Sequence, residues 1–236
     1  MQTLGELEQI LTAALDLRRR PVAITFADTA PVGTPPLKGT QPSGCSFWKL
    51  AAEGGAFYTV PADHLNCPVG SYTHNIGLPP EREAELGGVL SLMSDAGYIK
   101  MIEVPTISRL PRSPNVIVYA PLAEAPLTPD VVVLSGRPSK LMLLHEAAGR
   151  AEVATTPLLG RPTCMAVPAA LSGGVASSLG CIGNRVYTDV GDDEFYSVIG
   201  GSDLGRVVDA LGTILSANRT LATYHRERRA SLARPA

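Results

Sequence analysis

The residues with the most chemistry to offer are four cysteines, Cys45, Cys67, Cys164 and Cys181. Thiolates are soft ligands, so four of them suit a [4Fe-4S] cluster, which takes one per iron, or a closed tetrahedral zinc site. Gly70 lies just after Cys67, and Gly180 and Gly183 flank Cys181. Lacking side chains, such glycines let backbone N–H groups approach sulfur. The sequence holds no C-x2-C pair, which argues against zinc-finger chemistry. Two other uses stay open. Cys67 has His64 before it and His74 after it, the makings of a nucleophilic thiol with a histidine base. Alternatively, all four cysteines are small buried hydrophobes and the histidines ordinary loop residues.

The spacing carries a second signal. Gly54-Gly55 follows Cys45 at nine and ten residues, and Gly173-Gly174 follows Cys164 at the same distances. With one-residue gaps, Cys67, Gly70, Tyr72-Thr73 and Gly77 then match Cys181, Gly183, Tyr187-Thr188 and Gly191. The ordered set predicts an internal repeat, with copies at 45–93 and 164–215. Fused copies of one unit pack about a pseudo-twofold axis, as a symmetric dimer would. Equivalent residues then meet near that axis, so all four cysteines are expected to converge.

Where the copies differ, the site can be asymmetric. The second copy has Arg185 and Asp189 where the first has Ser71 and His74. An arginine fork beside a thiolate can neutralise a negative cluster or grip a carboxylate or phosphate. Arg185, helped by His74, Tyr72 and Tyr187, is expected to form an entrance for a small anionic ligand or a redox partner. The competing use of Arg185 is a surface ion pair with Asp192 or Asp193.

These residues need a scaffold, and the hydrophobic pattern predicts a mixed sheet covered by helices, an α/β fold in one compact domain. Leu4, Leu7, Ile10, Leu11, Ala14 and Leu15 recur at helical spacing. Helices are also expected over 46–53, 80–93, 139–148, 169–177 and from Ser202-Asp203 to about Arg228. Strands are expected over 21–27, 57–60, 98–104, 115–120, 130–134, 163–167 and 195–199, with 61–79 and Thr155-Thr156-Pro157 as loops. The unbroken apolar run Val131-Val132-Val133-Leu134 predicts burial on both faces. Phe47 and Trp48 read as core, and His145 as a packed or exposed helix residue.

Composition narrows the classes. With 45% hydrophobic residues in 236 the chain can fill a core. Its net charge of -2 gives no field for nucleic acid or an acidic membrane. No apolar run approaches the ~20 residues of a membrane span, and the acidic start Met1 to Glu8 is unlike a secretory signal. A cytoplasmic protein is expected, with its thiols reduced; a homo-oligomer is compatible with the sequence. Arg18-Arg19-Arg20 reads as a cationic helix end. The arginines from Arg219 to Arg234 read as a solvated helix face running into a flexible tail at about 229–236. Dinucleotide, Walker, nucleophile-elbow and H-E-x-x-H motifs are absent.

Four stretches carry a family resemblance: Cys45-Ser-Phe-Trp-Lys-Leu-Ala; Phe57 to Gly70, with its Asn-Cys-Pro-Val-Gly ending; Pro129-Asp-Val-Val-Val-Leu; and Gly180-Cys-Ile-Gly-Asn-Arg-Val-Tyr. Together they resemble the DUF169 family over about residues 4–217. The resemblance implies no reaction; the family's occurrence in anaerobes implies a leaning to oxygen-sensitive chemistry. The expected function is binding of an iron–sulfur cluster, or another thiolate-bound metal, with a redox or sensing role. A cofactor-free ligand-binding module with a pocket between the halves, and a thiol enzyme using Cys67, are the alternatives.

Overall fold

The computed structural model describes residues 2–158 and 162–232. Thr3 starts the first helix, α1 (Leu4–Leu15), with a capping box: its hydroxyl accepts the Glu6 N–H and the Glu6 carboxylate accepts the Thr3 N–H. Chain order continues with β1 (Val22–Ala27), α2 (Ser46–Glu53), β2 (Phe57–Thr59), α3 (Pro68–Thr73), α4 (Pro80–Asp95) and β3 (Val116–Pro121). It then runs through β4 (Val131–Gly136), α5 (Pro138–Arg150), β5 (Thr155–Leu158), α6 (Ala166–Leu171), β6 (Val175–Ser178), α7 (Ile182–Thr188), β7 (Phe195–Gly200) and α8 (Leu204–Leu232).

The seven strands form one mixed sheet in the order β2-β3-β1-β4-β7-β6-β5, antiparallel except for the β5–β6 pair. Its two central strands pair at Val22↔Val133, Ala23↔Val132 and Ile24↔Val131. On one side β1 meets β3 over six residue pairs, from Val22↔Pro121 to Ala27↔Val116. On the other, β4 meets β7 over six, from Val131↔Gly200 to Gly136↔Phe195.

Side chains alternate across this sheet with period two. Val22, Ile24, Ile117, Tyr119, Val131, Val133 and Val198 share one core with Phe47 and Trp48 of α2 and Ala166, Val167 and Ala170 of α6. Ala23, Val132, Leu134 and Ile199 share the other with α1, α5 and the first turns of α8. β3 and β4 are buried along their whole length, as strands covered on both faces must be. Phe47 and Trp48 are core residues, and His145 Nε2 lies 3.1 Å from Ser197 Oγ.

Several expected elements differ, and the stretch 61–79 expected as a loop holds helix α3. Residues 98–104 form no strand. After Gly97, at a φ of +69° that ends α4, the chain makes a 3-10 turn, Met101–Thr106, whose Met101 and Ile102 are exposed. Residues 163–167 are helical, because Pro168 stands in the first turn of α6, where its missing N–H costs nothing. The helix expected over 169–177 stops at Leu171, since Gly173 and Gly174 take φ values of +102° and +109° that release β6. Thr155-Thr156-Pro157 lies in edge strand β5, where a proline costs least. The stretches 45–93 and 164–215 share helix, strand, helix, but α4 follows α3 whereas β7 follows α7. The tail is helical to Leu232, and 233–236 lie outside the described residues.

One junction tolerates no side chain. A Cβ on Gly201, between β7 and α8, would lie 1.8 Å from the Pro129 carbonyl oxygen, and the Gly201 N–H donates to Asp130 O at 2.7 Å. Gly201→Ala is expected to cost about 3 kcal/mol, as overpacking does. The measurement is the urea midpoint at constant m-value; a change under about 0.5 kcal/mol would mean that the junction yields.

Candidate functional site

Each cysteine stands at the entry to a short helix on the β1–β4 face of the sheet that carries α2 and α6. Cys45 precedes α2 and Cys164 lies in the 3-10 turn leading into α6, while Cys67 and Cys181 are the N-cap residues of α3 and α7. The elements cross over: α2 packs on α7, and α3 packs on the turn holding Cys164. Cys164 Sγ accordingly points at Val69 O of α3, 4.0 Å away, and Asn184 of α7 faces Cys45. The Cys181 N–H donates to Thr163 Oγ1 at 2.6 Å, tying that cysteine to the neighbour of Cys164.

The result is one group of four. A charge on any one of these thiols would act on each of the other three. All four are free thiols; Cys45 and Cys164 are buried and Cys67 and Cys181 half-buried, so the group is closed on the sheet side. Burial pushes the Cys45 thiol up to about 11, against the pull of Ser43 and Asn184. Burial raises Cys67, opposed by the Gly44 and Gly70 N–H groups, and raises Cys164 well above the usual thiol range. Thiols in this setting stay protonated unless a positive charge joins them. Beneath lies Tyr119 of β3, whose phenol is also raised by burial and by the nearby Cys164, Cys45 and Cys67.

Hydrogen-bond donors are aimed at the sulfurs. Gly70 N–H reaches Cys67 Sγ at 3.3 Å, and a Cβ on Gly70 would lie 2.9 Å from that sulfur, so only glycine permits the approach. Ser43 Oγ lies 3.2 Å from Cys45 Sγ. Thr73 also faces Cys164, but its one hydroxyl hydrogen is donated to Gly70 O, so towards that thiol it can only accept. Among the described residues no three His, Cys, Asp or Glu side chains are placed to hold one metal ion.

Neither histidine near Cys67 is hydrogen-bonded to it. His64 Nε2 meets Thr59 Oγ1 at 2.9 Å and His74 Nδ1 meets Gly70 O at 2.9 Å, and both rings are buried beside Phe47, Tyr119 and Phe26. A thiol–histidine pair is not formed. The expected entrance residues are likewise dispersed. The Arg185 guanidinium donates to the carbonyls of Leu179, Gly191 and Glu194, which closes the loop after α7 and leaves no fork for an anion. Tyr72 turns to Val104 O and lies under Arg109, His74 is buried, and Tyr187 alone is exposed. An open cleft of about 350 Å³ at the end of β1, lined by Phe26, Asp28, Arg112 and Asp130 among others, contains no cysteine.

The motifs around these cysteines are those of a known group, whose model matches residues 10–210. The chain belongs to the DUF169 family. That family is described only as an uncharacterised ArCR group. No curated protein and no solved structure matches the chain. The DUF169 match spans both cysteine pairs and every strand of the sheet. The cysteine motifs contain Thr73 and Asn184, but nothing in the sequence pattern marks either of them, or Ser43, Tyr119 and Thr163, as a neighbour of the sulfurs. Among the described residues no helix is long and apolar enough to cross a membrane.

Proposed function

We propose that this DUF169 protein binds one iron–sulfur cluster of the [4Fe-4S] type on Cys45, Cys67, Cys164 and Cys181, and serves a redox or sensing role. The observation that carries the reading is the set of donors aimed at sulfur. Thiols accept hydrogen bonds weakly and thiolates accept them well, so the Gly70 N–H aimed at Cys67 suits metal-bound sulfur better than a buried thiol, and Ser43 Oγ, in contact with Cys45 Sγ, can donate to that sulfur once it is deprotonated. The ligand count fits as well. Four soft donors lie within reach of one another's charge, one for each iron of a four-iron core. When bound, the cluster would supply one-electron chemistry; the chain supplies the thiolates, the donors and a sheet floor that keeps water from one side.

We also propose that the chain is a fused duplication, with the cluster at its pseudo-twofold axis. Strand register supports this. A half-turn about the Ala23↔Val132 pair exchanges β1 with β4 and maps the six-residue β1–β3 ladder onto the six-residue β4–β7 ladder. It also takes Phe57, paired with Tyr119, to Ala176, paired with Val198. The numbering step from Phe57 to Ala176 equals that from Cys45 to Cys164 and from Gly54-Gly55 to Gly173-Gly174. On this reading α4 is an insertion in the first copy, and α5 with β5 an addition to the second.

Protein purified without oxygen is expected to be brown, absorbing near roughly 400 nm, with about four iron and four sulfide per chain. Colourless protein that takes up neither iron nor sulfide on anaerobic reconstitution would end the cluster reading.

A further inference from the structure

Asn184, in the first turn of α7, is an anomaly among the buried polar residues. It is 1% exposed, yet neither its Nδ2 nor its Oδ1 has a hydrogen-bond partner. Orphaned buried amides are costly, about 1–3 kcal/mol each, so one retained at a site calls for a partner that the protein alone does not supply. Its surroundings say where that partner would sit: the amide faces Cys45 Sγ on one side and the Tyr196 hydroxyl on the other. Tyr196 is already engaged with Thr188 Oγ1 at 3.0 Å, which leaves the sulfur side open.

We propose that Asn184 is a tuning residue, its Nδ2 donating to the Cys45 sulfur, or to the cofactor sulfide beside it, once a cluster is bound. This rests on the cluster reading above. Because neither amide end is engaged, the side chain can turn its N–H towards sulfur without breaking a bond. Three residues after Cys67, as Asn184 stands three after Cys181, is Gly70, which gives its backbone N–H to sulfur instead. The two halves thus reach the same end differently: α3 serves its own Cys67, and α7 reaches across to the other half's Cys45. A donor to cluster sulfur favours the reduced state, which carries one more negative charge. In the couple at issue one electron enters the cluster from dithionite and no bond is made or broken.

The test compares wild type, Asn184→Ala and Asn184→Asp after anaerobic reconstitution, reading iron and sulfide content, thermal melting and the midpoint potential. Asn184→Ala is expected to keep its iron while the reduced fraction at a fixed potential falls about tenfold, a shift of about 59 mV to the negative for one electron. Asn184→Asp, of the same shape, lacks the donor and adds charge, so it is expected to shift at least as far; it decides the matter should the alanine variant fail to fold. Loaded variants with the wild-type potential overturn the inference and leave the cluster reading standing, as does loss of iron from an Asn184→Ala chain that still melts cooperatively. Wild type that takes up no iron overturns both.

Discussion

Replacing any one of Cys45, Cys67, Cys164 and Cys181 by serine is expected to cut the iron retained after anaerobic purification to less than about a tenth and to lower the melting temperature with it. The two losses are linked because ligand that binds only the native state adds RT ln(1 + [L]/Kd) to stability. A site saturated a thousandfold above its dissociation constant contributes about 4 kcal/mol, or roughly 8–16 °C for a chain of this size. Without metal the same substitutions change a free thiol for a hydroxyl, a difference of about 1–2 kcal/mol at a buried position. The comparison of loaded and metal-free melts therefore separates a ligand from a packing residue. Four variants that match wild type in iron and in both melts would leave the cysteines as small core residues. If only Cys45 and Cys67 mattered, the crossed packing of α2 on α7 would not be holding a shared site.

How much of this was readable before the structure follows from how local each determinant is. Val131 to Leu134 announce a doubly covered strand because burial on both faces removes every polar alternative. The cysteine and glycine spacing also reads directly, since a turn that needs Gly173 and Gly174 at positive φ leaves its mark at fixed distance from Cys164. Residues 98–104 mislead because their apolar side chains mimic a strand, and only the sheet reveals that no edge is offered to them. Arg185 misleads in the other direction. Its local company of glycines suggests a ligand fork, but the three carbonyls that take up its donors come from Leu179, Gly191 and Glu194 and meet only when the loop closes. Asn184 and Tyr119 are illegible for a simpler reason: each acquires its meaning from a cysteine in a distant part of the chain. Pattern finds the residues that serve their own turn, and the residues that serve another half's turn emerge with the packing.

A second large effect is expected in mild acid. His64 and His74 are buried with their rings 5.7 Å apart, and each carries one nitrogen, His64 Nδ1 and His74 Nε2, that has no hydrogen-bond partner. Burial, reinforced by His74, lowers His64 to about 3, and burial lowers His74 as well. Both are therefore neutral in the folded chain at pH values where an unfolded histidine, titrating near 6.5, has taken a proton. Because the unfolded state binds more protons below that point, folding stability is full above about pH 6.5 and falls as the pH drops towards the folded values. A fully shifted histidine loses up to about 1.4 kcal/mol per pH unit below its unfolded pKa, so His64 is expected to remove roughly 1.6 kcal/mol between pH 6.5 and 5, and His74 adds to that loss in the same direction. That counts against the 5–15 kcal/mol that holds a typical domain together. Urea unfolding of metal-free protein at pH 7.5, 6.5, 5.8 and 5 measures the slope. His64→Gln, which can still reach Thr59, and the double variant with His74→Gln are expected to be less stable at pH 7.5 but to lose one and then both parts of the acid slope. An acid slope that survives intact in the double variant would move the titration to other groups and leave the two buried rings as packing alone.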